Sequence, residues 1–298
     1  MKDTLLGSVP PAAKGLDDMT GLIVPVVTPF GADGCVDEGA YERHLEFLAE
    51  RGVRRVLING TTGEFFSLVQ DERRRLLELA RRRLPAPLRV LYQVGCCSLP
   101  TTLEETRVAA DSGADAAVCI APYYLAHAPQ AGLIAYYQAV ADACRLPLVL
   151  YNFPQHTQNP IGPEVLAAVP HFGMKDSSAD LSLVGLAGQY YIGGDRRIVE
   201  CFTAGGHGWV SGLSNAFPEV HVSMERALLA SDADRADELQ QRISELCERL
   251  AGPEEIVHAK IALDRRLGGY PITVRPPIVG AAEAHLERVS AAIGRFVP

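Results

Sequence analysis

No stretch of this 298-residue chain approaches the 18 or so consecutive apolar residues that a membrane-spanning helix needs. No polybasic block is present either. The formal net charge of -8 is spread along the chain, which argues against a nucleic-acid partner and against docking on a membrane. The opening segment, Met1 to Thr20, carries Lys2 and Lys14 but no apolar run longer than Leu5-Leu6, so it reads as a poorly ordered tail rather than a secretion signal. The cysteines stand at positions 35, 96, 97, 119, 144, 201 and 247, an odd number without metal-ligand spacing, and Cys96-Cys97 is a vicinal pair rather than Cys-x-x-Cys. Buried thiols in a reducing, cytoplasmic setting are the expectation. No Gly-x-Gly-x-x-Gly follows an early strand, so a dinucleotide-binding sheet is disfavoured. No cluster of Asp, Glu, His or Cys has the spacing of a metal site.

What is present is alternation. At 48% hydrophobic and 21% charged, the chain has enough apolar residues for a large core. Short β-branched runs alternate with amphipathic stretches. Strands are predicted over 22–29, 53–58, 89–94, 115–120, 147–151, around Lys175, over 190–193 and over 208–211. Helices are predicted over 37–51, 70–83, 101–112, 130–144, 162–169, 181–188 and 196–204. Eight such units in about 200 residues point to a parallel sheet closed as a (β/α)8 TIM barrel. From Pro218 onward the pattern is helical, over 219–229, 231–250, 253–267 and 280–293, with Ser231 placed to cap the second of these. The expected organisation is therefore a tail over 1–20, a barrel over 21–217 and a C-terminal helical region over 218–298 packed on it.

Three polar segments each follow an apolar strand-like run: Gly60-Thr61-Thr62-Gly63-Glu64, Tyr151-Asn152-Phe153-Pro154 and Gly173-Met174-Lys175-Asp176-Ser177-Ser178. Barrel active sites lie at strand C-termini, so the three belong to one candidate site. A lysine ending a buried strand is costly unless paired or used, and desolvation makes its amine a nucleophile toward carbonyls. The bland alternatives are a snorkelling side chain or a salt bridge to Asp176. The Gly-Thr-Thr-Gly turn offers amides and hydroxyls to an anion such as a carboxylate, or is an ordinary βα turn. Tyr151 is either a proton relay or an aromatic at the barrel mouth.

Together these segments resemble the pyruvate-dependent class I aldolases and lyases, the dihydrodipicolinate synthase and N-acetylneuraminate lyase family. The resemblance runs from about Leu22 to Arg275. It also includes Pro-Tyr-Tyr at 122–124 and Gly-Gly-His-Gly at 205–208. It implies that Lys175 forms a Schiff base with a 2-oxo acid and that Tyr151 shuttles the proton. It further implies that Thr61 and Thr62 grip the carboxylate and relay protons, and that Tyr124 completes the relay in a neighbouring subunit. Gly193 and the backbone of Val210 are implied as further substrate contacts. With the iminium as electron sink, no cofactor and no metal are expected. The expected partners are a small-molecule 2-oxo acid and copies of the same chain, as a homodimer or homotetramer.

Departures from the family pattern shape the substrate expectation. His156 stands where dihydrodipicolinate synthases carry an arginine for the carboxylate of aspartate semialdehyde, and an imidazole lacks the bidentate fork. Asp195-Arg196 holds only half of the polyol-binding pair of sialic acid lyases. Ser177 is either a partner for a substrate hydroxyl or a helix-capping serine. His207 is read as structural, and His127 as a residue near the mouth. The leading expectation is an aldolase acting on a 2-keto-3-deoxy sugar acid or similar hydroxylated 2-oxo acid. The alternatives are dihydrodipicolinate synthase, a keto-deoxy-acid dehydratase, and a non-catalytic 2-oxo-acid-binding protein.

Overall fold

The computed structural model of the protein describes residues 19–297. Eight parallel strands close into a barrel in sequence order: β1 (Gly21–Pro25), β2 (Arg55–Ile58), β3 (Arg89–Gln93), β4 (Ala116–Ile120), β5 (Leu148–Asn152), β6 (Gly173–Asp176), β7 (Gln189–Gly193) and β8 (Gly208–Val210). The last strand pairs back on the first, with Gly21 opposite Gly208 and Ile23 opposite Val210. Helices α1 (Glu38–Glu50), α2 (Gln70–Arg83), α3 (Leu99–Asp111), α4 (Gln130–Ala143), the single turn α5 (Pro154–Thr157), α6 (Pro163–Ala168) and α7 (Ile198–Thr203) connect the strands. After β8 come α8 (Pro218–Leu229), α9 (Ala233–Leu250), α10 (Glu255–Leu267) and α11 (Glu283–Phe296). This is the (β/α)8 TIM barrel with C-terminal helices that the alternation implied.

Period-two alternation divides the apolar side chains into two populations. Ile23, Leu57, Leu91, Val118, Val149 and Val210 form an inner cluster, whereas Val24, Val56, Val90, Cys119, Leu150 and Trp209 join the larger cluster under the helices. Trp209, the only tryptophan, is 0% exposed, and its ring lies edge-on to Phe202 of α7 at 6.0 Å.

Where the elements differ from expectation, a specific competitor is visible. The first strand stops at Pro25 rather than Pro29, because the Val27 N–H is taken by Asn215 Oδ1 at 3.1 Å instead of a neighbouring strand. The 181–188 segment is a 3-10 turn, Leu181–Leu186, not an α-helix. Ser231 does not cap α9. It sits at φ 57°, and Asp232 accepts the Arg235 N–H at 3.1 Å in its place. Of the tail expected over 1–20, residues 1–18 lie outside the described residues. Met19 belongs to the barrel, 1% exposed within the inner cluster.

The helices after β8 reach both ends of the barrel. At the N-terminal end, Glu225 of α8 accepts from the Leu22 N–H and pairs with the fully buried Arg55 at 2.7 Å. At the C-terminal end, Lys260 of α10 pairs with Glu64. Beyond α10, Arg275 pairs with Glu72 of α2 at 2.6 Å and also donates to the Gly34 and Ser67 carbonyls.

Candidate active site

Because all eight strands run in one direction, their C-terminal ends share one face, and β5, β6 and the turn after β2 meet there. On β6 the alternation turns Met174 toward the helices and Lys175 into the barrel, opposite Tyr151 in the β5–β6 register. Lys175 is 7% exposed, so it does not snorkel. Its Nζ stands 3.8 Å from the centroid of the Tyr151 ring, within cation–π range. Among the described residues no carbonyl, hydroxyl or carboxylate hydrogen-bonds that amine.

The salt bridge to Asp176 does not form. The Asp176 carboxylate accepts from Asn152 Nδ2 at 2.8 Å, from the N–H and hydroxyl of Ser178 at 2.9 and 2.8 Å, and from the Tyr190 hydroxyl at 2.7 Å. It is saturated on the outer side of the sheet and ties β5, β6 and β7 together. Lys175 is thus left without a counter-ion on its own strand.

Tyr151 is 1% exposed, and its hydroxyl lies 3.1 Å from Thr61 Oγ1. The turn carrying Thr61 has a reason for its sequence. A Cβ on Gly63 would stand 2.7 Å from the Val26 carbonyl, so only glycine fits, and Glu64 adopts φ 58°. Such a left-handed residue costs on the order of 1–3 kcal/mol unless its surroundings hold it. Here Lys260 and the Arg275 N–H grip the buried Glu64 carboxylate. Burial pulls the Lys260 ammonium below its ordinary range, and the Glu64 carboxylate opposes that pull. With the turn fixed, the N–H groups of Thr61 and Thr62 have no acceptor among the described residues. They are placed to receive an anion.

The other sequence-selected residues fall into three groups. Ser177, Gly193 and Val210 come together at the ends of β6, β7 and β8. Gly193 pairs with Val210, and a Cβ on Gly193 would collide with Ser177 Oγ. Ser177 does not cap the following turn, whose cap is Asp180, so its hydroxyl is not spent on the backbone. His156 is exposed and packs its ring against Phe153 at 4.1 Å. Tyr124 is 91% exposed and makes no hydrogen bond among the described residues. His207 lies at the opposite end of the barrel, where its Nδ1 accepts from the Tyr190 N–H at 3.3 Å, which fits a structural role. His127 is exposed with φ 56°.

Asp195 has one oxygen engaged and the other, Oδ1, without a hydrogen-bond partner. It is buried, accepts from Ser211 Oγ at 2.9 Å, and lies 3.3 Å from His221 Nε2.

Two features escaped the sequence. Glu255, at the start of α10, reaches the mouth beside Gly212 and within electrostatic range of Lys175. Glu254, His258 and His285 place potential ligand atoms within 4.8 Å of one another, although their spacing gives no metal pattern. His258 donates Nδ1–H to the Leu250 carbonyl and leaves Nε2 unpartnered, which suits a ligand. His285, however, already accepts the Ala282 N–H on Nδ1, and Arg288 stands 3.7 Å from Glu254. The cluster thus offers one ready imidazole and a competing cation.

Comparison with known proteins bears on this site directly. The model of the dihydrodipicolinate synthetase family matches residues 18–295. A 4-hydroxy-tetrahydrodipicolinate synthase from an Exiguobacterium species is 32% identical over 280 residues, spanning 90% of this chain and 95% of the relative. Among solved structures, the Escherichia coli prophage protein YagE, of the dihydrodipicolinic acid synthase family and in complex with pyruvate, superposes with a TM-score of 0.86 at 26% identity. That match covers 93% of this chain and 98% of YagE. A dihydrodipicolinate synthase from Acinetobacter baumannii, also complexed with pyruvate, gives 0.83 at 28% identity, over 92% and 98% of the two chains. The buried lysine, the tyrosine against it and the Gly-Thr-Thr-Gly turn thus stand in a chain that belongs to the dihydrodipicolinate synthetase family of pyruvate-dependent carbon–carbon lyases.

Proposed function

We propose that Lys175 forms a Schiff base with pyruvate and that the protein joins the resulting enamine to an aldehyde, or runs the cleavage in reverse. The observation that carries this reading is a nearly buried amine with no counter-ion on its own strand, 3.8 Å from the ring of a tyrosine whose hydroxyl meets Thr61. Attack of Nζ on the 2-oxo carbon gives a carbinolamine, which loses water to an iminium. Loss of a C3 proton yields the enamine, whose C3 bonds to the aldehyde carbon. Tyr151 delivers the proton to the new alkoxide and is reprotonated through Thr61. The Thr61 and Thr62 amides hold the carboxylate, and water then releases the product from Lys175.

The test is borohydride reduction in the presence of pyruvate, followed by mass spectrometry. A reduced adduct on Lys175 is expected. Its absence would sink the reading and leave a non-catalytic binder.

Two aldehyde partners remain in play, and different observations favour each. The names of the relatives support aspartate semialdehyde, hence 4-hydroxy-tetrahydrodipicolinate synthesis, better than they support a sugar acid. The mouth supports a hydroxylated partner: exposed His156 supplies no bidentate cation, and the Ser177 hydroxyl is uncommitted. Losing the bidentate contact costs about 1.5–3 kcal/mol, or roughly one to two orders of magnitude in specificity. Side-by-side kcat/KM values for aspartate semialdehyde and for a hydroxyaldehyde such as glyceraldehyde decide between them. A cytoplasmic homo-oligomer whose Tyr124 reaches a neighbouring site remains part of the proposal, supported by the 91% exposure of that side chain.

A further inference from the structure

The mouth holds a carboxyl group that the Schiff-base chemistry does not use. Glu255 opens α10, and its side chain turns over Gly212 in the loop after β8, where a Cβ would collide with Glu255 Oε1. The same Cβ position lies 3.5 Å from Thr62 Cγ2, so the carboxyl shares one side of the mouth with the anion-receiving turn. Among the described residues no side chain or backbone group hydrogen-bonds this carboxyl. Three charged or titratable groups face it: Asp195 from the loop after β7, Lys175 from β6 and Cys247 from α9. Asp195 accepts from Ser211 and faces Glu255 as a like charge.

We propose that Glu255 selects the tail of the substrate, accepting a hydroxyl or amine on the carbon chain beyond the 2-oxo group and turning away a second carboxylate. The reasoning is chemical. An uncommitted, half-buried carboxyl gains a hydrogen bond with an O–H or N–H in either protonation state, whereas a second carboxylate beside it meets like charge once the carboxyl is ionised. Gly212 contributes by its missing side chain, which leaves room for the carboxyl to enter. Burial, reinforced by Asp195 and opposed by Lys175, pushes the Glu255 carboxyl up to about 8. Exclusion of a second carboxylate therefore strengthens as the pH rises through that value. The inference rests on the Schiff-base reading above and, of the two aldehydes, counts against aspartate semialdehyde, whose carboxylate is a second one.

The test uses adduct formation rather than turnover. Wild type, Glu255→Gln and Gly212→Ala are titrated with pyruvate, 4-hydroxy-2-oxobutyrate and 2-oxoglutarate, with reductive trapping on Lys175 by cyanoborohydride. Wild type is expected to prefer the hydroxylated tail over the carboxylate tail by about tenfold or more, with the preference growing between about pH 6.5 and 9. Changes in the Lys175 amine itself affect all three acids and cancel in the ratio. In Glu255→Gln the preference should fall to about threefold or less and lose its pH dependence. In Gly212→Ala the new Cβ displaces the carboxyl, so the preference should fall in the same sense. That variant decides the matter if Glu255→Gln no longer traps pyruvate. An undiminished preference in the deciding variant overturns the proposal alone. No adduct with any 2-oxo acid in wild type overturns the Schiff-base reading and this inference with it.

Discussion

Among the described residues two lysines are buried near the same end of the barrel, and they have opposite surroundings. Lys260 is 0% exposed and fully occupied: it pairs with Glu64, donates to the Thr273 carbonyl at 2.7 Å, and lies 4.6 Å from the Phe30 ring. Lys175 is 7% exposed and has only the face of Tyr151. A buried amine surrounded by acceptors is held charged and immobile, and it behaves as a fastener. A buried amine without acceptors is not tied down and can approach a carbonyl carbon. Burial is common to both lysines; the lack of partners is what sets apart the one proposed to react.

Substitutions at both lysines can break this contrast. Lys175→Ala is expected to lower turnover by at least about three orders of magnitude while leaving the denaturation midpoint near wild type, since no partner is orphaned. Retained turnover, or a marked loss of stability, would erase the distinction. Tyr151→Phe keeps the ring under the amine and removes only the hydroxyl. Turnover should fall by roughly two to four orders of magnitude, the usual worth of a positioned acid–base group. An unchanged rate in a steady-state assay would reduce Tyr151 to a mouth aromatic.

Lys260→Met should show the reverse pattern, costing roughly 3–5 kcal/mol in urea unfolding because it strands a buried Glu64 carboxylate. Adding Glu64→Gln should recover much of that loss.

The smallest effect concerns Glu255. Its carboxyl holds a proton in the folded protein up to about pH 8, whereas the unfolded chain releases it near the ordinary 4.5. Between those values the native state binds the extra proton, so this group's contribution to stability declines as the pH rises. Glu255→Gln should therefore gain in melting temperature relative to wild type between about pH 5 and 9. A constant difference across that range would place the carboxyl in water.

The same contrast explains what the sequence disclosed. Lys175, Tyr151 and Thr61 each follow an apolar strand, and strand order in a barrel converts such positions into neighbours without further information. Lys260 was not singled out by the sequence; its setting within Val257–Leu263, seven consecutive buried residues of α10, emerges only from the packing. Glu255 left no local signal, because its approach to Gly212 depends on how α10 docks on the mouth. The Ser231 cap failed for a different reason, as two adjacent residues both had capping side chains and only Asp232 had the backbone geometry. The first strand is shorter than its apolar run because Asn215, 188 residues away from Val27, supplies the acceptor that ends the ladder.

Trp209 gives the protein a built-in optical probe at one place. It sits on the helix-facing side of β8, 0% exposed and with no hydrogen-bond partner for its Nε1, while its neighbour Val210 faces the barrel interior. Emission from this single indole therefore samples the dry seam between strand and helix layer. It should lie at short wavelength in the native protein and shift red on unfolding. Filling the mouth with a 2-oxo acid should leave it unmoved, so a spectral change on ligand addition would report displacement of the helix layer rather than occupancy of the site.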